Sequence, residues 1–376
     1  MPTLRSLFIA FVMILVVSAI RAAPPSIDHA SMISAIIEAA REKHEQPAIA
    51  AAVVDGRDIT SAVTGVRLLR QEAKVEPADR FHIGSCTKAM TATIIAMLVQ
   101  EGVLTWETRV LDVFPEAAEK AKDAYRDTTL RDLLTHRAGL VAGTAGIAPE
   151  SRAANALTGS AREQRAQMVQ ILLEMDPVAP RHAKVAYSNA GYGVAAAMAE
   201  RRADTTWEQL LTDRIFTPLN MSNAGFGWPA IPDRQDQPLG HRVAGDRLVP
   251  LPINSPYRMP HAFAPAGDVH CSIDDLARFA RMHLDALRGR ETPLTEESVK
   301  MLHDADFGCG WFPMKIAGHT ARWHNGTVGT FFAWMVIWPE HDLAIVVMTN
   351  AGNGERACAE VAEAIFKHVR PTADAE

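Results

Sequence analysis

The sequence predicts an α+β fold: one antiparallel sheet built from both ends of the chain, flanked by helices, with a mostly helical insertion between its two halves. Two strand patterns lie near the N-terminus, and three more precede the last helical pattern near the C-terminus. Between them, helical patterns are joined by irregular runs and do not alternate with strands. The sheet part is therefore expected at about residues 27–102 and 269–370, and the insertion at about 103–268.

Composition and charge narrow the class of partner. The chain has 376 residues, of which 48% are hydrophobic and 22% are charged, and its formal net charge is −6. This is the composition of a globular protein with enough apolar residues for a large core. No segment carries a dense run of lysine and arginine, which argues against nucleic acid as a partner. We expect a small-molecule or peptide substrate and a monomeric protein.

The first 22 residues have the pattern of a secretory signal peptide. Arg5 supplies the positive charge, residues 6–20 are apolar, and the small residues Ala22 and Ala23 follow. The apolar region is short for a membrane span, which needs about 20 residues. An uncleaved N-terminal anchor is the alternative. The sequence thus predicts a periplasmic or secreted protein whose mature domain, residues 23–376, has no membrane span after cleavage.

The N-terminal elements follow from hydrophobic periodicity. The first pattern, "HASMISAIIEAAREKHEQ", has apolar residues at helical spacing and predicts a helix. Two strands follow, "PAIAAAVVDG" and "ITSAVTGVRL", with a turn at Asp55–Gly56 between them. The next helix is expected to begin at Ser85 and to end near Gly102. It is apolar nearly all round, which indicates burial on most faces.

The insertion combines helical patterns with a long irregular region. Residues 228–268 are rich in proline and glycine and have no sustained period, which predicts loops at the surface. We expect a catalytic cleft between the sheet part and the helical part. The helical patterns are "TLRDLLTHRAGL", "AREQRAQMVQILLEM", "AGYGVAAAMAERR" and "TWEQLLTDRIF".

The C-terminal part returns to strand patterns. It begins with the helix "IDDLARFARMHLDAL" and ends with the amphipathic helix "GERACAEVAEAIFKHVR". The last two of its three strands are joined by a short turn at Pro339–Asp342. The predicted strands are "ARWHNGTVG", "TFFAWMVIW" and "LAIVVMTN".

The sharpest chemical signal is S-x-x-K at Ser85 and Lys88. Positions i and i+3 share one face of a helix, so the hydroxyl and the amine can meet. A serine hydroxyl needs a base to take its proton, and a lysine desolvated in an apolar cleft can serve. The alternative is a helix cap and a solvated lysine. Motifs for metal hydrolysis, phosphate binding and dinucleotide binding are absent, so no metal or organic cofactor is expected.

The four cysteines show neither zinc spacing nor a C-x-x-C pair, and free, buried thiols are expected, with one disulfide as the alternative. Cys86 is the rival nucleophile to Ser85. As the next residue along the helix it points about 100° away, off the Lys88 face. We therefore expect Cys86 to pack into the core.

Two further elements could complete a catalytic site. Tyr187 and Asn189, in "AYSNAGYG", lie just before a helix; the phenol could relay a proton and the amide could grip a substrate carbonyl and the lysine. His324 and Gly326, in "ARWHNGTVG", lie on a predicted strand. His324 could bind a substrate carboxylate or assist proton transfer, and the glycine permits close approach of a substrate backbone. Capping and packing roles are the alternatives for these residues.

Taken together, S-x-x-K at Ser85, Y-x-N at Tyr187 and H-x-G at His324 follow one another in this order, and the chain resembles the class C β-lactamase and penicillin-binding superfamily of serine hydrolases. "LLTHRAGL", "APAGDVHCSIDDLARF" and "VVMTNAGN" resemble further landmarks of that family. The resemblance implies that Ser85 is acylated and that Lys88 and Tyr187 handle its proton. It also implies that Asn189, His324 and Gly326 contact the substrate. Backbone N–H groups of Ser85 and Thr327 would suit an oxyanion hole.

One departure bears on the substrate. Typical class C β-lactamases carry Lys-Thr-Gly where this chain has His324 to Gly326, and the Tyr-Ser-Asn with His-x-Gly combination is closer to exported D-alanyl-D-alanine carboxypeptidases and D-amino-acid peptidases. A neutral histidine holds a substrate carboxylate less strongly than a lysine does. The resemblance therefore favours hydrolysis of D-amino-acid peptides. The alternatives are a class C-type β-lactamase, a short-chain esterase, and an inactive protein that binds cell-wall fragments.

Overall fold

The computed structural model describes residues 29–143, 148–234, 236–256, 258–304, 308–316 and 318–370. The predicted signal peptide, residues 1–22, lies outside the described residues. The strands are β1 (Ala48–Asp55), β2 (Asp58–Gly65), β3 (Phe81–His82), β4 (Gly225–Phe226), β5 (His241–Ala244), β6 (Arg247–Pro250), β7 (Val269–Cys271), β8 (Phe312–Ile316), β9 (His319–Thr327), β10 (Phe332–Trp338) and β11 (Leu343–Thr349).

Most of the helices lie between β3 and β4 or flank the strands of the main sheet. The longest ones are α1, α6, α7, α9, α11 and the central helix α2. The helices are α1 (His29–Lys43), α2 (Thr87–Gln100), α3 (Val110–Val113), α4 (Leu130–Leu134), α5 (Pro149–Ala156), α6 (Ala161–Glu174), α7 (Asn189–Ala203), α8 (Trp207–Leu211), α9 (Ile273–Leu287), α10 (Glu296–Leu302) and α11 (Glu355–Val369).

The main sheet joins the two ends of the chain, as the sequence predicts. Its six strands follow the order β2-β1-β11-β10-β9-β8 and all neighbouring pairs are antiparallel. At the join, β1 pairs with β11, so Ile49 lies opposite Thr349. The predicted α+β class is therefore confirmed.

The sheet is buried on both faces because β1, β11 and β10 are apolar except at the last positions of β1 and β11. In β1, Ile49, Ala51 and Val53 face α1 and α11, where they pack against residues such as Ile37 and Val361. The alternate residues of β1 face the other side and join the larger core around α2 and α9. This alternation follows from the two-residue repeat of a strand. Helices thus cover both faces of the sheet.

The insertion differs from its prediction in detail. The pattern "TLRDLLTHRAGL" forms only the short α4, because the chain leaves the helix and His136 adopts a positive φ of 57°. The pattern "TWEQLLTDRIF" forms α8, which continues as a π-helical turn over Thr212–Phe216. The region predicted as loops contains the β5–β6 hairpin. A small second sheet, β3-β7-β4, has strands of two or three residues, too short to show a sequence period.

The structure also bears on the cysteines and on the membrane. Cys86, Cys271, Cys309 and Cys358 are all free and buried, as expected. Among the helices in the described part of the chain, none is both long and apolar enough to cross a membrane.

Candidate active site

Ser85 lies in a tight turn rather than within the α-helix predicted to begin there. Residues Gly84–Cys86 form a 3₁₀ turn, which we call the serine turn, and α2 begins at Thr87. Gly84 has a φ of +50°, and a Cβ atom there would lie 2.4 Å from the backbone nitrogen of Thr327. Only glycine tolerates both conditions. The turn therefore sits directly against strand β9.

Two side chains outside the predicted set hold the serine turn in place. His82 accepts a hydrogen bond at Nδ1 from the Gly84 N–H (3.2 Å), and its Nε2 lies 3.3 Å from a carboxylate oxygen of Asp268. Thr87 accepts a hydrogen bond from the Val269 N–H at 3.2 Å. These contacts connect the turn to β7 and to Asp268, the residue that precedes it. No motif marks them in the sequence, so they were not predicted.

Lys88 is fully buried and has three hydrogen-bond partners. Its Nζ lies 3.1 Å from Ser85 Oγ, 2.7 Å from Asn189 Oδ1 and 2.8 Å from the carbonyl oxygen of Ala266. Burial holds the pKa of Lys88 well below its ordinary value, because the ammonium form loses its hydration. The structure thus brings Ser85, Lys88 and Asn189 together as predicted, and adds Ala266.

The partners of Lys88 determine what a neutral amine can do. The oxygens of Asn189 and Ala266 can only accept hydrogen bonds, so they engage the two N–H groups of the amine. The remaining direction points to Ser85 and carries the lone pair. In that state the Ser85 hydroxyl donates to Lys88, which is the arrangement that general-base catalysis requires.

Tyr187 stands at the mouth of the site. The centroid of its ring is 4.7 Å from Lys88 Nζ and 4.5 Å from the centroid of the His136 ring. The residue as a whole is 43% exposed, whereas its hydroxyl group is buried. This burial raises the pKa of Tyr187 to about 12, although a hydrogen bond with Ser85 acts in the opposite direction. The phenol is therefore neutral near pH 7 and can relay a proton.

His136 and Asn189 fix the segment that carries Tyr187. The Ser188 N–H donates to His136 Nδ1 at 3.0 Å. The Asn189 N–H donates to Ala142 O at 2.7 Å, and the Asn189 side-chain amide donates to Gly143 O at 3.2 Å. Burial keeps the pKa of His136 well below its ordinary value, so this histidine is a neutral support. The sequence indicates His136 only through its place in "LLTHRAGL".

His324 is also drawn into the interior beside Lys88. It is 1% exposed, and its Nδ1–H donates to the carbonyl of Asn325. Its Nε2 is buried without a hydrogen-bond partner in the part of the chain that the structure describes. Burial, with a contribution from the nearby Lys88, lowers the pKa of His324 to about 3. A neutral imidazole that is buried in this way offers no charge to a substrate carboxylate, and its lowered pKa makes it a weak base.

Gly326 lets β9 contact the serine turn backbone to backbone. A Cβ atom at this position would lie 2.0 Å from Ile83 O and 2.5 Å from the Ser85 nitrogen. Gly84 meets the Thr327 nitrogen from the other side. The backbone nitrogens of Ser85 and Thr327, predicted as an oxyanion hole, thus lie at the same crossing of turn and strand.

Cys86 is placed as a core residue. Its side chain is fully buried, with Sγ 3.6 Å from the carbonyl oxygen of His324. Burial raises the pKa of the Cys86 thiol to about 12. A thiolate is the reactive form of cysteine, so this environment suppresses its chemistry.

A cleft of about 640 Å³ is lined by residues that neighbour the site, and Ser85, Lys88 and Tyr187 themselves do not line it. Asp268, which contacts His82, lies on its wall, as does Met259, whose Cε is 3.0 Å from the position of a Cβ on Gly267. Trp207, Phe226 and Trp228 give the cleft an aromatic lining. No cluster of side chains suited to a metal ion occurs among the described residues.

Comparison with known proteins places the chain in a family. The sequence profile of the Beta-lactamase family matches residues 33–370. The chain is 28% identical to penicillin-binding protein 4 of Amycolatopsis lactamdurans over 335 residues, covering 84% of each chain. It is 23% identical to protein flp of Staphylococcus aureus strain MW2, with 86% of this chain and 63% of that relative covered.

Solved structures show the same fold. The crystal structure of SurE superposes with a TM-score of 0.71 at 21% identity, covering 91% of this chain and 75% of that chain. The octameric penicillin-binding protein homologue from Pyrococcus abyssi superposes with a TM-score of 0.70 at 19% identity, covering 88% and 75%. With a profile match over nearly all of the described chain, the protein belongs to the Beta-lactamase family.

Proposed function

We propose that this protein is a serine hydrolase that works through an acyl-enzyme formed on Ser85. The observation that carries the proposal is the buried Lys88 amine, 3.1 Å from Ser85 Oγ, with its other two directions occupied by carbonyl-type oxygens. A buried, neutral amine beside a serine hydroxyl is a general base next to a nucleophile.

The proposed reaction has two halves. In the first, Ser85 Oγ attacks the substrate carbonyl carbon while its proton passes to Lys88 Nζ. The backbone N–H groups of Ser85 and Thr327 stabilise the oxyanion, and the neutral Tyr187 relays the proton to the leaving group. In the second half, water attacks the acyl-enzyme, the acid is released and Ser85 regains its proton.

Peptides that contain D-amino acids are the substrate class that we favour. The neutral His324 offers no permanent cation for the carboxylate of a penicillin, which lowers the expected activity as a class C-type β-lactamase. A solved relative in fold is SurE with D-Leu, and the curated relative from Amycolatopsis lactamdurans is named a penicillin-binding protein. A short-chain esterase is the remaining enzymatic alternative.

Export is part of the proposal. A hydrolase of cell-wall-like peptides meets its substrate outside the cytoplasm, and residues 1–22 have the composition of a secretory signal. We therefore propose a periplasmic or secreted location.

Covalent labelling tests the nucleophile. Fluorescent penicillin and a fluorophosphonate probe should label the native protein and the Cys86→Ala variant, whereas Ser85→Ala should lose labelling by at least about a hundredfold because the acylated oxygen is gone. Intact-mass spectrometry gives the stoichiometry of the adduct. Equal labelling of Ser85→Ala and the native protein would refute the proposal.

Turnover then separates the substrates. A D-Ala-D-Ala peptide should give a higher kcat/KM than a chromogenic cephalosporin or a p-nitrophenyl ester, with Ser85→Ala as the blank for each. A higher value for the cephalosporin would favour the β-lactamase. Neither adduct nor turnover with any of the three would favour the binding protein.

A further inference from the structure

Thr91 on α2 continues the spacing of the S-x-x-K motif. It follows Lys88 at the same interval of three that separates Lys88 from Ser85 in the serine turn, so Lys88 and Thr91 share one side of α2. Thr91 is fully buried, and its Oγ1 donates to the carbonyl of Pro265 at 2.7 Å. Lys88 donates to the next carbonyl along the chain, that of Ala266, at 2.8 Å.

Trp207 completes the hydrogen bonding of the Thr91 hydroxyl. Its indole Nε1–H donates to Thr91 Oγ1 at 2.9 Å, and its backbone N–H donates to Glu200 Oε1 at 2.8 Å. An indole can only donate and a carbonyl can only accept, so the hydroxyl proton must point at Pro265. Both Thr91 and Trp207 are fully buried. The orientation of the Thr91 hydroxyl is therefore fixed by its neighbours.

The same buried cluster holds the other end of this segment. Arg165 donates to the carbonyl of His261 at 3.2 Å and forms an ion pair with Glu200 at 2.6 Å. Arg165 is 1% exposed. The chain from His261 to Ala266 is thus held at its start by Arg165 and at its end by Thr91.

We propose that Thr91 and Trp207 are positioning residues that hold the Ala264–Ala266 turn so that the Ala266 carbonyl directs the Lys88 amine towards Ser85. This inference rests on the proposed function, in which Lys88 takes the Ser85 proton. The carbonyl of Pro265 and the nitrogen of Ala266 belong to one planar peptide group. Fixing that plane leaves only the φ and ψ angles of Ala266 to orient its own carbonyl.

The proposal has a consequence for protonation as well as for rate. A carbonyl stabilises an ammonium group more than a neutral amine. If the turn moves, the ammonium form of Lys88 loses a partner, its pKa falls further, and the amine is less well aligned with Ser85. The other titratable groups that face Lys88 stay unchanged in the variants below; they are Cys86, His136, Tyr187, Tyr192 and His324.

Four variants test the role of the hydroxyl. Thr91→Val removes it at nearly constant shape, Thr91→Ser keeps it, and Trp207→Phe removes only the indole donor. Thr93→Val is the matched control, because Thr93 is equally buried on the same helix but its hydroxyl contacts Ala89 O and His283. Each variant is measured as the full-length mature protein.

Two measurements are made on each variant. The first is the rate at which a fluorophosphonate probe labels Ser85, as a function of pH. The second is the titration of Lys88 by NMR of lysine labelled with ¹³C at Cε, assigned by the loss of its signal in Lys88→Met. The NMR titration requires no turnover. Thr91→Val should lower the labelling rate about tenfold or more. It should also move the Lys88 titration, and the acid limb of the pH profile of the labelling rate, about half a pH unit lower.

Thr91→Ser and Thr93→Val should keep the native titration, and Trp207→Phe should shift it in the same direction as Thr91→Val by a smaller amount. Equal behaviour of Thr91→Val and Thr93→Val would overturn the inference. If Thr91→Val does not fold, a native titration in Trp207→Phe overturns it instead. If Ser85 of the native protein is not labelled at all, the proposed function fails, and the Lys88 titration alone decides the positioning role.

Discussion

Lys88 combines complete burial with three hydrogen-bond partners, and the two features act on its protonation in opposite directions. Acceptors such as Ala266 O stabilise an ammonium, whereas the loss of hydration destabilises it. Burial prevails and lowers the pKa of Lys88 well below its ordinary value. The same balance makes His324 neutral. Lys88 and His324 are therefore both uncharged, and a neutral amine at Lys88 is what a serine hydrolase would need as a base.

This state of Lys88 has a cost in stability that depends on pH. The unfolded chain has a lysine pKa of about 10.4 and binds a proton that the folded Lys88 does not, so the free energy of unfolding should rise with pH until that value is reached. The contribution is about 1.4 kcal/mol per pH unit while the folded form is neutral. Lys88→Met should remove it.

Urea unfolding at pH 7, 8 and 9 measures this effect. The native protein should gain free energy of unfolding across this range relative to Lys88→Met, and Lys88→Met should also fail to become acylated. Parallel pH dependences for the two proteins would show that folded Lys88 is protonated, contrary to the general-base assignment.

For individual residues, the sequence predicted the side chains that meet at the site but not the groups that support them. Ser85, Lys88 and Asn189 are linked by hydrogen bonds as expected. Ala266 contributes a backbone oxygen, which any residue type could supply, so no motif records it. Thr91 was not predicted for another reason. A buried threonine on an apolar helix has the same sequence pattern whether or not its hydroxyl makes hydrogen bonds outside the helix.

Among the secondary-structure elements, β9 has the most demanding position because it touches the serine turn without an intervening side chain. Gly326 and Gly84 face each other across this contact. Strand β9 therefore sets the distance between the Thr327 N–H and Ser85, and with it the shape of the proposed oxyanion hole.

Gly326→Ala should separate the strand from the serine turn. The new Cβ would lie 2.0 Å from Ile83 O, which is backbone and cannot rotate away. A displacement of about 1 Å at a reacting centre can cost on the order of a hundredfold in rate, so we expect acylation of Ser85 to fall by about that factor. Thr320→Ala, at the exposed start of the same strand, is the control.

Stopped-flow labelling with fluorescent penicillin measures the rate, and circular dichroism checks the fold. An acylation rate within about twofold of the native value in Gly326→Ala would show that the strand is free to move away, and that the oxyanion hole does not depend on this contact.

The elements that were predicted well are those whose apolar repeat continues over many residues. Helices α1, α9 and α11 and strands β10 and β11 follow from their apolar repeats. The two-residue strands β3 and β4 cannot show a period. Their pairing depends on contacts with distant parts of the chain, and a local pattern carries no trace of those.

At the scale of the whole molecule, seven histidines of the described part of the chain are buried in the interior. Burial lowers the pKa of His270, His283 and His324 to about 3, and it lowers the pKa of His136 and His303 well below the ordinary value. All five are neutral in the folded protein at neutral pH. Each must gain a proton when the chain unfolds in mild acid.

The protein should therefore lose stability steeply as the pH falls below about 6.5. The unfolded chain binds protons there that the folded protein does not, and each histidine contributes up to about 1.4 kcal/mol per pH unit. Five of them give on the order of 7 kcal/mol per unit, comparable to the whole stability of a typical domain. Above about pH 6.5 this contribution is fully present.

Urea midpoints at pH 7.5, 6.5 and 5.5 provide the check. His283→Gln should reduce the slope by about one proton, whereas His368→Gln, at an exposed position of α11, should leave it unchanged. A native midpoint that is flat between pH 6.5 and 5.5 would mean that these histidines are already protonated in the fold.

The overall architecture was the most predictable feature. Strand patterns at both ends of the chain, with none of comparable length between them, leave few ways to form one sheet, and the β1–β11 pairing is the one observed. The irregular region at 228–268 was less predictable, since the path of a loop depends on what it covers.

The pairing of β1 with β11 also determines when the sheet can form during translation. The segment carrying Ser85 leaves the ribosome long before β9, β10 and β11 have been translated, so a growing chain holds the serine and the lysine without the strand that faces them. Contacts between such distant positions form late and slowly. In a nascent chain the proposed catalytic centre is therefore incomplete, and the six-stranded sheet cannot close until β9, β10 and β11 have been synthesised.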